Sequence, residues 1–177
     1  IEASKASTGN LAVHLEKLEA GVSVVQIVGE FEDKLNAADL TLLIQKPETP
    51  VYVMADGRHF WRVIDNLMNN ICKYAQPGTR VYVDLRENGG QVELIFRNTS
   101  RYPLNISSEE LMERFVRGDE SRNTEGSGLG ISIAKSLMEL MGGSFMLYVD
   151  GDLFKVVLGF AQIAEEKEPL DEDESGK

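Results

Sequence analysis

Apolar positions change period several times along this chain, and each change marks an element. Between Asn10 and Leu18, Leu11, Val13 and Leu15 alternate with polar residues, the period of two that predicts a first strand. From Val22 to Leu35, Val24, Val25, Ile27, Val28 and Phe31 gather on one broad helical face. Two short apolar runs follow, Leu40 to Ile44 and Val51 to Met54, split by Pro47 and Pro50, and they are expected to form a strand pair. The clearest helix is Asp56 to Tyr74, with Asp56 as N-cap and Pro77-Gly78 beyond its end.

Arg80 to Arg86 and Gln91 to Arg97 alternate around Glu87-Asn88-Gly89-Gly90, which predicts a hairpin. From Asn98 to Ser127 the pattern breaks into a long polar connection, with one short amphipathic piece at Ser108 to Phe115; a loop of that length in a compact domain reads as a lid or a disordered stretch. Leu129 to Met141 is a helix entered through glycines and left through Gly142-Gly143. A second hairpin, Ser144 to Tyr148 with Leu153 to Phe160, turns at Asp150-Gly151-Asp152. Antiparallel strand pairs with helices between them predict an α+β two-layer sandwich, a mixed and largely antiparallel sheet with helices on one face.

Composition narrows the function classes. No stretch approaches the roughly 18 to 20 uninterrupted apolar residues of a membrane span, and Ile1 to Asn10 lacks a signal pattern, so this piece is expected to be soluble and without direct membrane contact. The single Cys72 and the lack of metal-spaced Cys and His fit a reducing cytosol, with Cys72 a buried, inert thiol. Net charge is −11, of which the seven acidic and two basic residues of Ile163 to Lys177 contribute −5. A nucleic-acid partner is not expected.

The polar face of the Asp56 to Tyr74 helix is unusual. With Asn66 set at zero degrees, Arg62, Asn69, Asn70 and Lys73 fall within about 60 degrees of it, while Phe60, Val63, Ile64, Leu67, Met68 and Ile71 fill the other side. Asn is a mediocre helix former, and a surface helix normally uses Glu, Lys or Gln. Amide oxygens can ligate a hard cation such as Mg²⁺ without adding charge to a site that also holds phosphates, and a nearby Lys offers those phosphates a point charge. The alternative is a solvated face that happens to be Asn-rich. The second constellation is Thr124-Glu125-Gly126-Ser127-Gly128-Leu129-Gly130 at a helix entrance, where backbone N–H groups and the helix dipole favour an anion. Its alternative is a flexible loop with close helix packing, and its spacing fits neither a P-loop nor a Rossmann fingerprint.

Taken together, these segments resemble the catalytic domain of sensor histidine kinases. Arg62 to Tyr74 (RVIDNLMNNICKY) resembles the N box, Leu111 to Gly118 (LMERFVRG) the F box, and Gly126 to Gly130 (GSGLG) the G2 box, in that order and across roughly residues 10 to 162. The resemblance implies the Bergerat ATP-binding sandwich shared with gyrase-type ATPases and Hsp90 chaperones; the domain is expected over residues 1–162, and the acidic composition of 163–177 predicts a disordered tail. The resemblance implies that Asn70 ligates Mg²⁺, that Lys73 and Tyr74 reach the phosphates and flank the adenine, and that Arg117 approaches the terminal phosphate. It also implies that Gly126, Ser127, Gly128, Leu129 and Gly130 form the phosphate-proximal loop. Tyr74 as core-edge packing and Arg117 as a solvated residue are the plain alternatives.

One departure stands out. The usual G1 box is Asp-x-Gly-x-Gly, whose Asp accepts a hydrogen bond from the adenine amine, whereas this chain has Phe96-Arg97-Asn98-Thr99-Ser100. Asn98 keeps a side-chain acceptor, a weaker one than a carboxylate, and the Asn-Thr-Ser form resembles that of a subset of kinases. Gyrase-type and chaperone relatives carry a Glu one turn before the metal Asn to activate water. Here that position is Asn66, which cannot act as a base, so Asn66, Lys73 and Arg117 fit phosphoryl transfer to an imidazole and disfavour a hydrolase or a serine kinase. His14, in the predicted first strand, and His59, in the first helical turn, lack a His-Glu/Asp-x-x-x-Pro context. The expected acceptor histidine therefore lies on a separate dimerisation helix, and the expected partners are ATP, Mg²⁺, that helical hairpin and a response regulator. A degenerate module that binds nucleotide or a partner without transfer is the competing expectation.

Overall fold

A computed structural model of the chain describes residues 12–121 and 129–164, with side chains described for 12–115 and 130–164. Seven strands and five helices alternate along these residues: β1 (Glu16–Glu19), α1 (Ala20–Gly29), α2 (Glu32–Ala37), β2 (Leu40–Gln45), β3 (Tyr52–Ala55), α3 (Gly57–Tyr74), β4 (Thr79–Asn88), β5 (Gln91–Thr99), α4 (Ser108–Ser121), α5 (Leu129–Leu140), β6 (Ser144–Asp150) and β7 (Leu153–Ile163). The sheet runs β1-β3-β7-β5-β4-β2, with β6 also on β7. Only β2 and β4 pair in parallel. The mixed sheet with its helix layer is the α+β sandwich that the sequence predicts.

Strand alternation builds the core. Register aligns Phe96 with Val156 and Val156 with Leu147, and likewise Leu94 with Leu158 and Leu158 with Phe145; all of these are buried. Helix α3 covers this face with Phe60, Val63, Ile64, Leu67, Met68 and Ile71, all nearly inaccessible, at the spacing of one helical stripe. Phe60 meets Phe160 of β7 with ring centroids 5.6 Å apart.

Four expectations change in detail. The Val22 to Leu35 face is two helices, because the chain turns at Glu30 and Phe31: Phe31 is the buried N-cap of α2, the Glu30 N–H returns to the Ile27 carbonyl and the Phe31 N–H to the Val28 carbonyl. The runs at Leu40 to Ile44 and Val51 to Met54 are both strands, but they do not pair. β2 lies parallel to β4, while β3 joins β1 and β7, since the proline-containing link 46–51 cannot make a tight hairpin. The first strand is confined to Glu16–Glu19, so His14 precedes it. Asn98 and Thr99 belong to β5, and the amphipathic piece at Ser108 to Phe115 is the start of the 14-residue helix α4, so the polar connection is far shorter than its composition implies. The acidic tail from residue 165 onward lies outside the described residues.

The start of α3 is fixed by one carboxylate. Asp56 Oδ1 accepts from the N–H groups of Arg58 and His59, and Oδ2 accepts from the His14 N–H at 2.8 Å. Burial pushes this carboxyl up, but the donated N–H groups of His14, His59 and Arg58, together with the charge of a protonated His59, outweigh burial and hold it below the usual 3.8. A pKa lowered on folding contributes stability above the unfolded value and loses it as pH falls through the folded one. Asp56→Asn keeps a capping oxygen but loses the titration. Urea unfolding is therefore expected to show a loss of about 1 kcal/mol at neutral pH and a shallower decline below pH 3.8 than in the parent.

Candidate functional site

The C-terminal end of α3 is stitched to the end of β5. Gln76 N–H donates to the Thr99 carbonyl at 2.8 Å, Arg101 N–H donates to the Tyr74 carbonyl at 2.8 Å, and Ala75 pairs with Ser100 across an antiparallel bridge. Those contacts place Asn70 and Tyr74, one helical turn apart, beside Asn98. The Ser100 N–H in turn reaches the Asp152 carbonyl at 2.7 Å, which ties the corner to the β6–β7 turn.

Asn98 is the residue that apolar packing does not explain. It pairs with Phe154 of β7 on the core-facing side of the sheet and is 4% exposed, yet its Oδ1 has no hydrogen-bond partner among the described residues. Leaving such an acceptor unpaired costs about 1–3 kcal/mol. Asn98 also lines a cavity of about 220 Å³, together with Asn70, Tyr74, Ser100, Tyr102, Leu104, Leu111, Phe115 and Phe154. Helix α4 closes it from above, with Phe115 edge-on to Phe154 at 6.4 Å. Aromatic and aliphatic walls with a few polar groups at one side are what a planar heteroaromatic ligand requires. A larger and more open groove of about 710 Å³ lies on another side of α4 but contains none of these residues, so the chemistry singles out the smaller cavity.

The other candidates divide. Lys73 is exposed, and its Nζ stands 5.1 Å from the Tyr74 ring centroid, a cation held against the aromatic wall. Asn66 is half-buried, with Nδ2 lacking a hydrogen-bond partner among the described residues. Asn69 is different: its Oδ1 accepts from Lys34 at 2.9 Å, so one of the three helix asparagines serves a surface contact. Gly130 lies inside α5, not in a loop, and a Cβ there would come 3.2 Å from Asn66 Cβ. Its small size thus sets the close approach of α5 to α3. Leu129 begins α5 and Arg117 lies within α4, described in backbone only, while Gly126, Ser127 and Gly128 lie outside the described residues.

Leu104, Phe115 and Phe154 were not singled out by sequence, although Phe115 falls within the F-box stretch. As apolar residues at regular spacing they are indistinguishable from ordinary core. Neither histidine enters the cavity: His14 donates its N–H to Asp56, and His59 Nε2 lies 3.1 Å from the Ala12 carbonyl. Cys72 is half-buried, and burial pushes its thiol up, as expected of an unreactive thiol. Among the described residues no group of three or more His, Cys, Asp or Glu could hold a metal ion by itself. Mg²⁺ typically uses one or two protein oxygens plus substrate phosphates, so the Asn70 amide is compatible with such an ion.

Residues 55–169 match the family model described as histidine kinase-, DNA gyrase B-, and HSP90-like ATPase. The chain belongs to that family. Within it, the chain is 34% identical over 110 residues to the probable sensor protein PcoS of Escherichia coli, covering 60% of this chain and 24% of that protein. It is 29% identical over 136 residues to the probable sensor kinase SilS of Salmonella typhimurium, covering 75% and 27%. The chain thus spans about a quarter of the length of these relatives. The catalytic domain of histidine kinase ThkA superposes with a TM-score of 0.71 at 18% identity, covering 84% of this chain and 96% of that one, which establishes the shared fold. The resemblance to histidine kinase ATP-binding domains read from the N, F and G2 segments is borne out.

Proposed function

We propose that this domain binds Mg-ATP with its adenine in the α3–β5–α4 cavity and passes the terminal phosphoryl group to a histidine on a separate dimerisation helix, for onward transfer to a response regulator. The observation that carries the reading is buried Asn98, whose Oδ1 is unpartnered among the described residues, lining a base-sized cavity beside Asn70 and Tyr74. Asn98 accepts the adenine amine proton. Tyr74 and Phe154 wall the ring, and Lys73 extends toward the phosphates. Asn70 would hold Mg²⁺ together with the phosphates, where the ion supplies charge neutralisation. Gly126, Ser127, Gly128, Leu129 and Gly130 would offer backbone N–H groups, and Arg117 a cation at the terminal phosphate.

Phosphoryl transfer asks the protein for positioning and charge compensation more than for covalent chemistry. A neutral imidazole nitrogen needs no strong base, so Asn66 in place of a carboxylate suits transfer to histidine and not activation of water. His14 and His59 stay outside the reaction. His14 bonds the α3 N-cap Asp56 and His59 lies in the first turn of α3, about 16 Å from Asn70 along the helix axis at 1.5 Å per residue. The parent protein's cytoplasmic sensor role follows the same reading; among the described residues no helix is long and apolar enough to cross a membrane.

Binding is expected to order the segment that follows Arg101, where the hydrogen bonds to the α3 end and the β6–β7 turn stop. Adding Mg-ATP should slow amide exchange across residues 102–121, because contacts of Leu111 and Phe115 with the base offset an ordering cost of about 1 to 2 kcal/mol per residue. Exchange that is already slow in the empty protein and unchanged by Mg-ATP would contradict α4 as a lid.

A further inference from the structure

The 710 Å³ groove is lined by Ser108, Glu109, Met112 and Glu113 of α4, by Ser132, Lys135, Ser136 and Glu139 of α5, and by Phe145, Met146 and Leu147 of β6. Phe145 and Leu147 are buried toward the helices, whereas Met146 points to the opposite face and is half exposed. Side chains from both faces of one strand can border a single groove only along the strand's edge. Among the described residues β6 pairs with β7 alone, so the groove runs along the other, unpaired edge.

The register shows which backbone groups face that edge. Asp150 and Leu153 close a two-residue hairpin loop of Gly151 and Asp152, with Gly151 at φ 59°, as a first central residue of a II′ turn requires. The closing pair of such a hairpin is hydrogen-bonded, and bonded pairs alternate along an antiparallel ladder. The N–H and C=O groups of Val149, Leu147 and Phe145 therefore point away from β7. β6 also lacks the usual protections of an edge: SFMLYVD contains no proline and no lysine.

The geometry points to strand addition: an extended peptide with basic residues at alternate positions pairs along β6 between it and the α4–α5 wall. Charge selects this occupant, since the groove carries Glu109, Glu113 and Glu139 against Lys135. Alternate residues of an added strand face the helices. A lysine or arginine there lays its aliphatic stem on Met112, Phe145 and Leu147 and brings its charge to the glutamates. The intervening residues face Met146 and are apolar. Main-chain bonds supply affinity and the alternate pockets supply specificity, the general mode of peptide addition to a sheet edge.

The test uses the isotopically labelled chain and a capped seven-residue peptide alternating valine and lysine. Saturable binding is expected, with the largest amide shifts at Phe145, Leu147 and Val149. A copy N-methylated on its alternate amides should bind about ten-fold more weakly, having lost main-chain donors. A copy with glutamate for lysine should not bind. The exposed pair Glu109→Lys and Glu139→Lys should weaken the lysine peptide about five-fold. Three results would each overturn the proposal: no saturable binding, equal binding of the N-methylated copy, or concentration-dependent shifts at the same amides without peptide, which would make a second copy of the chain the occupant.

Discussion

Asn70→Ala is expected to abolish Mg-dependent nucleotide use while leaving the domain folded. The side chain lies on the polar side of α3 at the mouth of the cavity, outside the stripe that packs on the sheet, so its removal opens no core void. Alanine is also the better helix former, by up to about 0.7 kcal/mol, so the melting temperature should hold or rise slightly. In the proposed complex, what disappears is a neutral oxygen beside the phosphates. Removing one preorganised group that stabilises transition-state charge costs on the order of 100-fold or more in rate. Calorimetric titration with and without Mg²⁺, set beside thermal melts, separates the two effects. Normal Mg-ATP binding by a folded Asn70→Ala protein would remove Asn70 from the site.

The second large effect has opposite signs for stability and binding. Asn98→Leu removes an unpaired acceptor from an apolar row and is expected to stabilise the empty domain by about 1–3 kcal/mol. The same change should weaken ATP by a similar 1–3 kcal/mol, roughly 5- to 150-fold, because the adenine amine loses its partner. Asn98→Asp should retain ATP and sharpen rejection of GTP, whose six-position carbonyl would confront a carboxylate that cannot turn a donor toward it. The parent amide can flip, so its preference for ATP should be milder. Equal ATP affinity in all three proteins would mean that Asn98 does not read the base.

Some of this was legible in the residues and some was not. Helix α3 announces itself because cap, apolar stripe and polar face agree, and both glycine-turned hairpins read directly from alternation. The asparagine-rich face of α3 stood out from residue types alone, but the roles of Asn70, Tyr74 and Asn98 came from the resemblance of their segments to the boxes of histidine kinases. Their meeting could not be read: it depends on the Tyr74–Arg101 and Gln76–Thr99 hydrogen bonds that bring the α3 end to the β5 end. Phe154 and Leu104 were hidden for the opposite reason, since a wall facing a ligand and a wall facing the core have the same apolar pattern. The separation of β2 from β3 was also out of reach, because strand partners are set by distant segments and not by neighbours in sequence. Gly130 carries a mixed lesson. Close helix packing was one of the two expected uses of these glycines, but that Gly130 lets α5 approach Asn66 is visible only in the packed helices.

The transfer reaction itself provides the most direct test. The purified chain, incubated with Mg²⁺ and ATP labelled at the terminal phosphate, is mixed with an isolated histidine-bearing dimerisation hairpin from a sensor kinase of this family. The expected result is acid-labile, alkali-stable label on the hairpin's histidine, dependent on Mg²⁺, lost with Asn70→Ala and unaffected by His14→Ala or His59→Ala. Label accumulating on His14 or His59, or tight Mg-ATP binding with no label reaching any cognate hairpin, would contradict the account.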